Sequence, residues 1–261
     1  FNKSELATAQ IPVPSTEEQR RISKILSSID QTMEKYNQQL SALDELIKSR
    51  FVEMFGELEL NQYGWKYLPL SALVTIEPQN GLYKPQSDYV RDDSGVPILR
   101  IDAFYDGKVT DFSKLRRLIC SSVERERYLL RENDIVINRV NSIEYLGKCA
   151  HITGMLEDTV FESNMMRFHL DESVIEAGFA VHLLCTKYIH KQIMNRAKKA
   201  VNQASINQGD VMSLQLLVPP LTLQKQFIAF VEQVDKSKLA VKQSLEKLET
   251  LKKSLMQQYF G

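Results

Sequence analysis

The strongest constraint on the fold of this chain is an internal repeat, in which residues 1–56 align without a gap on residues 206–261. The identities include residues outside any leucine pattern, among them Pro14/Pro219, Gln19/Gln224 and Asp30/Asp235. Two unrelated coiled-coil helices would share leucines, but not a proline, a glutamine and an aspartate in one register. The chain therefore begins and ends with the same unit, a proline-marked segment followed by a long helix.

The first copy predicts an uninterrupted helix with one apolar seam. Its apolar residues recur in alternating steps of four and three, the a/d pattern of a helix that packs on another helix. These residues are Ile22, Leu26, Ile29, Met33, Tyr36, Leu40, Leu43 and Ile47. Ser15 and Glu18 form a candidate capping box, and Gly56 is expected to end the helix.

The second copy continues the same seam with two interruptions, Lys238 and Lys252. Its apolar positions are Phe227, Val231, Val234, Val241, Leu245, Leu248, Leu255 and Tyr259. A helix of roughly 40 residues is roughly 60 Å long and has no core of its own. Because the chain leaves along one helix and returns along the other, we predict an antiparallel coiled-coil pair over residues 15–56 and 220–261.

The sequence between the helices, residues 57–219, loses the heptad pattern and becomes rich in predicted strands. Strands are predicted at 99–104, 134–137, 148–153 and 166–170, and helices at 122–129 and 174–198. Asp106-Gly107 is typical of a hairpin turn. The expected fold class is α+β, a globular mixed α/β domain flanked by two long antiparallel coiled-coil helices.

Charge and motif content exclude several classes of function. Lys+Arg and Asp+Glu are both 33, so bulk positive charge does not hold this chain on nucleic acid. We find no glycine-rich phosphate loop, no amino-methyltransferase tetrapeptide and no metal-ligand spacing among the histidines. We therefore predict no catalytic residue, no metal and no cofactor. Asp88 or Asp102, followed by Asp106-Gly107-Lys108, could be aligned with a metal-dependent nuclease, but a hairpin turn explains Asp106-Gly107 without catalysis.

The cysteines and the hydropathy pattern indicate the compartment. Cys120, Cys149 and Cys185 form no CxxC pair and are typical of thiols in a reducing compartment. No apolar run reaches 18 residues, and the N-terminus has no signal-peptide pattern. We predict a soluble cytoplasmic protein with no membrane partner.

Three polar segments of the central region could bind DNA. Residues 177–209 carry five basic residues and no acidic one, and they include a polar stretch at 200–207. Numbered in chain order, the first segment is 79–85, which combines Gly and Pro with Tyr and Lys. The second is 138–142, which follows a predicted strand, and the third is 177–209 with its polar stretch. Lys and Arg can bind phosphates, whereas Asn, Gln and Ser can contact base edges. Each segment taken alone is more typical of a solvated loop, but three such segments in one domain favour DNA binding.

The proline–glutamine segments, IPVPSTEEQRRI at 11–22 and VPPLTLQKQFI at 218–228, resemble conserved segments of the specificity (S) subunits of type I restriction–modification systems. Gly147-Lys148 after 134–139, and 205–207 before the second proline segment, are also similar to that family. The resemblance covers the whole chain. It implies a target recognition domain that reads one half of a split double-stranded DNA site. It also implies helices that set the distance between half-sites and dock methyltransferase (M) subunits, and through them restriction (R) subunits, to which catalysis belongs.

The chain departs from the family in having one recognition domain where complete subunits have two. Residues 1–14 align with the end of the central domain and resemble the tail of a missing first one. We expect either a half-subunit, which forms a homodimer, or a fragment of a full subunit.

The candidate DNA-binding residues lie in the three polar segments. The predicted contacts to phosphate or guanine are Lys84, Arg139, Lys198 and Lys199. The predicted contacts to base edges or to the sugar–phosphate backbone are Asn80, Tyr83, Asn141, Ser142, Asn202, Gln203 and Ser205. The alternative function is a coiled-coil adaptor whose central domain binds another protein, which the balanced net charge also suits.

Overall fold

The computed structural model describes residues 14–201 and 203–260, which divide into two compact units. The helical unit contains the described residues up to Glu53 and those from Ala229, and the central unit is Met54–Ile228. The helices are α1 (Thr16–Phe55), α2 (Ser122–Tyr128), α3 (Ala177–Leu184), α4 (Lys187–Arg196), α5 (Gln208–Met212) and α6 (Leu221–Phe260). The predicted α+β class with two long helices is confirmed.

The strands are short and lie in the central unit. They are β1 (Lys66–Pro69), β2 (Val74–Asn80), β3 (Tyr89–Val90), β4 (Val96–Leu99), β5 (Phe104–Tyr105), β6 (Gly107–Val109), β7 (Arg116–Leu118), β8 (Asp134–Asn138), β9 (Val140–Asn141), β10 (Cys149–His151), β11 (Val160–Phe161), β12 (Met165–Leu170), β13 (Lys198–Lys199), β14 (Ala204–Ser205) and β15 (Gln215–Val218). Within the described residues these strands form four sheets, ordered β1-β15, β2-β12-β8-β10-β6-β5, β11-β4-β7-β3 and β13-β14-β9.

The seam of the two long helices follows the heptad pattern. All of the seam positions named above are buried or half-buried, and most of the residues between them are exposed. The two lysines that interrupt the seam of α6 are paired with aspartates of α1. The ammonium of Lys252 is 2.5 Å from the carboxylate of Asp30, and the ammonium of Lys238 binds Asp44. The two pairs together show that α1 and α6 run antiparallel, because the earlier aspartate of α1 pairs with the later lysine of α6.

The repeat explains what the seam lysines replace, because Lys238 and Lys252 correspond to Met33 and Ile47 of the first copy. We expect the double variant Lys238→Met, Lys252→Ile to have the same free energy of unfolding as the parent, or one higher by up to about 2 kcal/mol. The new apolar side chains match the seam, and the two aspartates that lose their partners remain in contact with solvent. Chemical denaturation followed by circular dichroism measures the change. A loss of stability would show that the ion pairs, and not the apolar seam, hold the helices together.

Both copies of the proline–glutamine segment form the same side-chain hydrogen bond at the start of their helix. The side-chain amide of Gln19 donates to the carbonyl oxygen of Pro14 at 2.9 Å, and that of Gln224 donates to Pro219 at 2.7 Å. The predicted capping box is confirmed in the first copy, where the amide of Glu18 and the hydroxyl of Ser15 are 3.3 Å apart. The repeated Pro and Gln therefore form the same side-chain hydrogen bond in both copies, and this bond joins the helix to the segment before it.

In the second copy, the glutamine has additional hydrogen-bond partners within the central unit. Gln224 is fully buried, and its side-chain amide also donates to the carbonyl oxygen of Val174 at 3.2 Å. Its side-chain oxygen accepts the backbone N–H of Glu176 at 2.9 Å. Gln224 thus connects the start of α6 to the segment that leads into α3.

The core of the central unit lies around the six-stranded sheet. Strand β8 runs between β12 and β10, and all five of its residues are buried. A second apolar cluster forms where the long helices enter this unit, with Phe55 packed edge-on against Phe179 and Phe227 at ring distances of 5.0 and 5.6 Å. These two clusters fix the framework from which the loops project.

Two predicted elements are wrong in extent, and one turn is confirmed. The predicted strand 99–104 is broken, because residues 100–103 form a turn between β4 and β5. The predicted helix 174–198 is two helices, since the hydroxyl of Thr186 caps a new helix at Ile189. The hairpin turn at Asp106-Gly107 is present, and both residues have positive φ, 50° and 79°. Among the described helices, none is long and apolar enough to cross a membrane.

Candidate nucleic-acid interface

The second and third predicted polar segments meet in one small sheet. Strand β14 pairs with β13 on one side, Lys198 opposite Ser205, and with β9 on the other, Ala204 opposite Asn141. The backbone N–H of Ile206 donates to the carbonyl oxygen of Arg139 at 2.9 Å. Segments about 60 residues apart in sequence are therefore held side by side by backbone pairing, which sequence spacing alone does not reveal.

The outer edge of this sheet is basic and exposed. Lys198, Lys199 and Gln203 are exposed, and Val201 at the hairpin tip is 99% exposed. Within the described residues, neither lysine forms an ion pair. Exposed ammonium groups without an ionic partner are suited to binding phosphate. Asn202, the other predicted contact in this hairpin, lies outside the described residues.

A turn at residues 162–165, here called the central turn, connects the first polar segment to the second. It is closed by a hydrogen bond of 3.1 Å from the N–H of Met165 to the carbonyl oxygen of Glu162. On one side the N–H of Ser163 donates to Leu82 at 3.0 Å, and on the other the carbonyl oxygen of Asn164 accepts the N–H of Arg139 at 2.9 Å. All three predicted segments therefore belong to one hydrogen-bonded surface, here called the polar surface.

The first segment presents two exposed side chains and one neutralised cation. Asn80 is exposed at the end of β2, and Tyr83 is 78% exposed. The ammonium of Lys84 lies 2.9 Å from Glu124 and 3.6 Å from Asp88. The hydrogen bond to Glu124 raises the pKa of Lys84, and the backbone N–H of Ser121 together with Lys84 lowers the pKa of Glu124 to about 2. Lys84 is thus compensated within the fold, which weakens the prediction that it contacts phosphate.

The second segment is more constrained than a solvated loop. The half-buried guanidinium of Arg139 donates to the carbonyl oxygen of Ser163 at 3.2 Å. The side-chain oxygen of Asn141 accepts the N–H of Ser142 at 2.8 Å, and both residues are half-buried, as is Ser205 in the paired strand β14. These residues lie in or next to the small sheet that carries the exposed lysines.

Residues 1–45 and 63–252 match the family described as Type I restriction modification DNA specificity domain. The chain belongs to this family. The curated relatives that it matches are named as specificity subunits of type I restriction enzymes.

The relatives are specificity subunits from both archaea and bacteria. A protein named as the type I restriction enzyme MjaX specificity subunit of Methanocaldococcus jannaschii is 31% identical over 216 residues, which cover 80% of this chain and 48% of the relative. The EcoKI specificity subunit of Escherichia coli K12 is 25% identical over 96% of this chain and 56% of its own length. The chain thus spans about half the length of the curated relatives it matches.

Solved structures show the same fold. The S subunit from M. genitalium has a TM-score of 0.61 at 16% identity and covers all of this chain and 66% of its own. A structure titled for the complex assembly and conformational transition of the type I R-M system has a TM-score of 0.65 at 18% identity, covering 99% of this chain and 63% of its own. At these identities the likeness concerns the fold alone.

Sequence reasoning about this specificity subunit missed the central turn. Ser163-Asn164 stands between two strands, β11 and β12, and such a pair of turn-forming residues is a signal that could have identified it. The charged groups behind the turn were also missed. Glu162 is buried, its carboxylate accepts the N–H of Ile101 at 2.7 Å, and the guanidinium of Arg100 lies 3.7 Å away. Burial raises the pKa of Glu162, which the hydrogen bond and Arg100 oppose.

A buried polar network supports the base of the first segment. Asp134 is fully buried, and its carboxylate lies 3.0 Å from the ring of His169 and 3.5 Å from the guanidinium of Arg167. The same guanidinium donates to the side-chain oxygen of Gln79 at 3.0 Å. The network therefore holds the end of β2, where Asn80 lies and which Tyr83 follows three residues later.

Lys148, in the pair Gly147-Lys148 that resembles the family, lies within the fold. Its ammonium donates to the carbonyl oxygen of Ile101 at 2.6 Å and lies 4.1 Å from the ring of Tyr105. Burial lowers its pKa, which the charge of Asp102 opposes. Lys148 therefore fastens two loops of the specificity subunit together.

Gly81 is the point of closest approach between the first segment and the central turn. A Cβ at this position would lie 2.3 Å from the carbonyl oxygen of Glu162, so one backbone must move. We expect Gly81→Ala to lower the free energy of unfolding by about 1–3 kcal/mol and to displace the turn. Thermal unfolding measures the loss. Gly209→Ala is the matched control, because a Cβ there would meet a side-chain oxygen, that of Asn207 at 3.2 Å, and not a carbonyl of the backbone at 2.3 Å; equal losses would contradict the close approach.

Proposed function

We propose that this chain is a DNA-reading component of a type I restriction–modification complex, in which residues 57–219 form a target recognition domain for one half of a bipartite double-stranded site. The observation that carries the proposal is the union of three distant polar segments in the polar surface. Exposed Lys198 and Lys199 lie at its edge beside the half-buried polar side chains of Asn141 and Ser205. This arrangement suits phosphate binding and base reading in adjacent positions.

The contacts follow from exposure and from hydrogen bonding. Lys198 and Lys199 would hold phosphates, and Arg139 would stiffen the second segment beside them. The base-edge or sugar contacts proposed for the described residues are Asn80, Tyr83, Asn141, Ser142, Gln203 and Ser205. Asn202, at the hairpin tip by sequence, is proposed with them.

The helices give the proposed complex its other partners. The seam residues of α1 and α6 would hold the two helices together, and their outer faces would dock methyltransferase (M) subunits, through which restriction (R) subunits join in the cytoplasm. The chain has one recognition domain and spans about half of its curated relatives. The second half-site would then fall to a second recognition domain, either in a second copy of this chain or elsewhere in the complex. A two-fold homodimer would favour a palindromic bipartite target.

The decisive experiment is a selection from randomised DNA duplexes by the purified chain, with and without the methyltransferase subunit of its own system. We expect enrichment of one defined half-site, with an affinity that falls steeply as salt rises, because bound lysines release counterions from the duplex. A chain that enriches no sequence in either condition, while it binds another protein through its central unit, would be the coiled-coil adaptor instead.

A further inference from the structure

The two middle residues of the central turn have side chains that the fold does not use. Ser163 and Asn164 are half-buried, and within the described residues neither side chain has a hydrogen-bond partner. Their main-chain groups, by contrast, are engaged. The carbonyl oxygen of Ser163 accepts from Arg139, and that of Asn164 accepts from the N–H groups of Arg139 and Val140, at 2.9 and 3.3 Å.

The turn is rigidly held on every side. Leu82 accepts the N–H of Ser163, and the N–H of Gly81 donates to the carbonyl oxygen of Met165 at 3.1 Å. The residue that begins the turn, Glu162, is anchored by Ile101 and Arg100 from behind. A polar side chain on a rigid support loses little conformational entropy when it binds, so its hydrogen bonds discriminate well between ligands.

The turn also lies in the middle of the polar surface. Its Ser163 side contacts the first segment at Leu82, and its Asn164 side contacts the second segment at Arg139 and Val140, which in turn pairs with Ser205 of the third. A duplex bound across the first and second segments would pass over this turn. The unused side chains of Ser163 and Asn164 would then face it.

We propose that Ser163 and Asn164 are specificity-determining residues that contact base edges, and that Asn164 specifies an adenine. A carboxamide offers one acceptor and two donors, which match the N6 and N7 atoms of adenine in the major groove. A serine hydroxyl accepts or donates and is less selective. This inference rests on the proposed function and adds to it the residues at the centre of the reading surface.

The test compares the sites selected by the parent chain with those selected by Asn164→Ala and Ser163→Ala. We expect Asn164→Ala to reduce the preference for one A·T base pair about 5- to 150-fold, the usual range for one bidentate contact, with unchanged affinity for random DNA and an unchanged salt slope. Ser163→Ala is expected to change a neighbouring position by a smaller factor. Asn195→Ala, at an exposed asparagine of α4, is the matched control and should select as the parent does.

Asn164 does not have a positive φ, so alanine fits its backbone without strain. Asn164→Asp is a second variant of nearly the same shape, which loses the donors and should also lose the adenine. Two results would overturn the inference: an unchanged preference at all positions in both variants, or an equal loss of affinity on every sequence. A parent chain that selects no sequence would overturn the proposed function as well, which separates the two failures.

Discussion

Replacing Gln224 by alanine is expected to lower the free energy of unfolding of the central unit by about 2–4 kcal/mol. Its side chain is fully buried and makes three hydrogen bonds, to the carbonyl oxygens of Pro219 and Val174 and to the N–H of Glu176. Alanine would leave these groups without partners in the interior, and each buried unsatisfied group costs about 1–3 kcal/mol. Urea denaturation followed by the fluorescence of Trp65, the single tryptophan, measures the loss.

The repeat provides the matched control, Gln19→Ala, at the equivalent position of the first copy. Gln19 is exposed and, among the residues that the structure describes, makes one side-chain hydrogen bond, to the carbonyl oxygen of Pro14, so its loss should cost less than about 1 kcal/mol. Equal losses in the two variants would mean that Gln224 stabilises the fold only through its bond to Pro219, the bond that Gln19 also makes to Pro14. The additional bonds to the segment before α3 would then carry no stability.

The double variant Lys198→Ala, Lys199→Ala is expected to weaken DNA binding about tenfold or more on selected and random duplexes alike. The two exposed ammonium groups would contact phosphates, which carry no sequence information. The slope of log affinity against log salt should become shallower by about 0.9 for each phosphate contact removed, or about 1.8 in total. Fluorescence anisotropy at several salt concentrations measures both effects.

Lys187→Ala, Lys191→Ala is the control of equal charge change from the same basic stretch. Lys187 is exposed, and Lys191, also exposed, lies 3.4 Å from the carboxylate of Glu59. If both double variants lose the same affinity, the effect comes from net charge rather than from the β13–β14 hairpin. If the Lys198/Lys199 variant binds as the parent does, the hairpin does not contact DNA.

Features that depend on neighbours in sequence could be predicted, because their physical causes are local. The seam positions of α1 and α6, the capping box of Ser15 and the turn at Asp106-Gly107 each follow from spacing or from backbone preference. The break between α3 and α4 also had a local cause, the N-cap at Thr186, but the prediction ran one helix through it.

Features that depend on pairing between distant segments could not be predicted. Nothing near Lys198 indicates that its strand pairs with Ser205, or that Ser205 lies opposite Val140. The central turn is defined by bonds to Leu82 and Arg139, both far from it in sequence. Exposure also had to be seen in three dimensions. By sequence Lys84 is as suitable a phosphate ligand as Lys199, yet it is neutralised by Glu124 and Asp88.

The two lysine–aspartate pairs of the helical unit constrain how the pair of long helices, here called the rod, can change in length. Asp30 and Asp44 are two heptads apart, as are Lys238 and Lys252. Gln38 of α1 and Gln243 of α6, which are equivalent in the repeat, lie between the two ion pairs along the helices. An insertion of seven residues into one helix would move one of the pairs out of register. Seven residues inserted into both helices at that level would preserve both pairs and the seam, and would lengthen the rod by about 10 Å. The rod is therefore expected to evolve in paired heptads, one from each copy of the repeat.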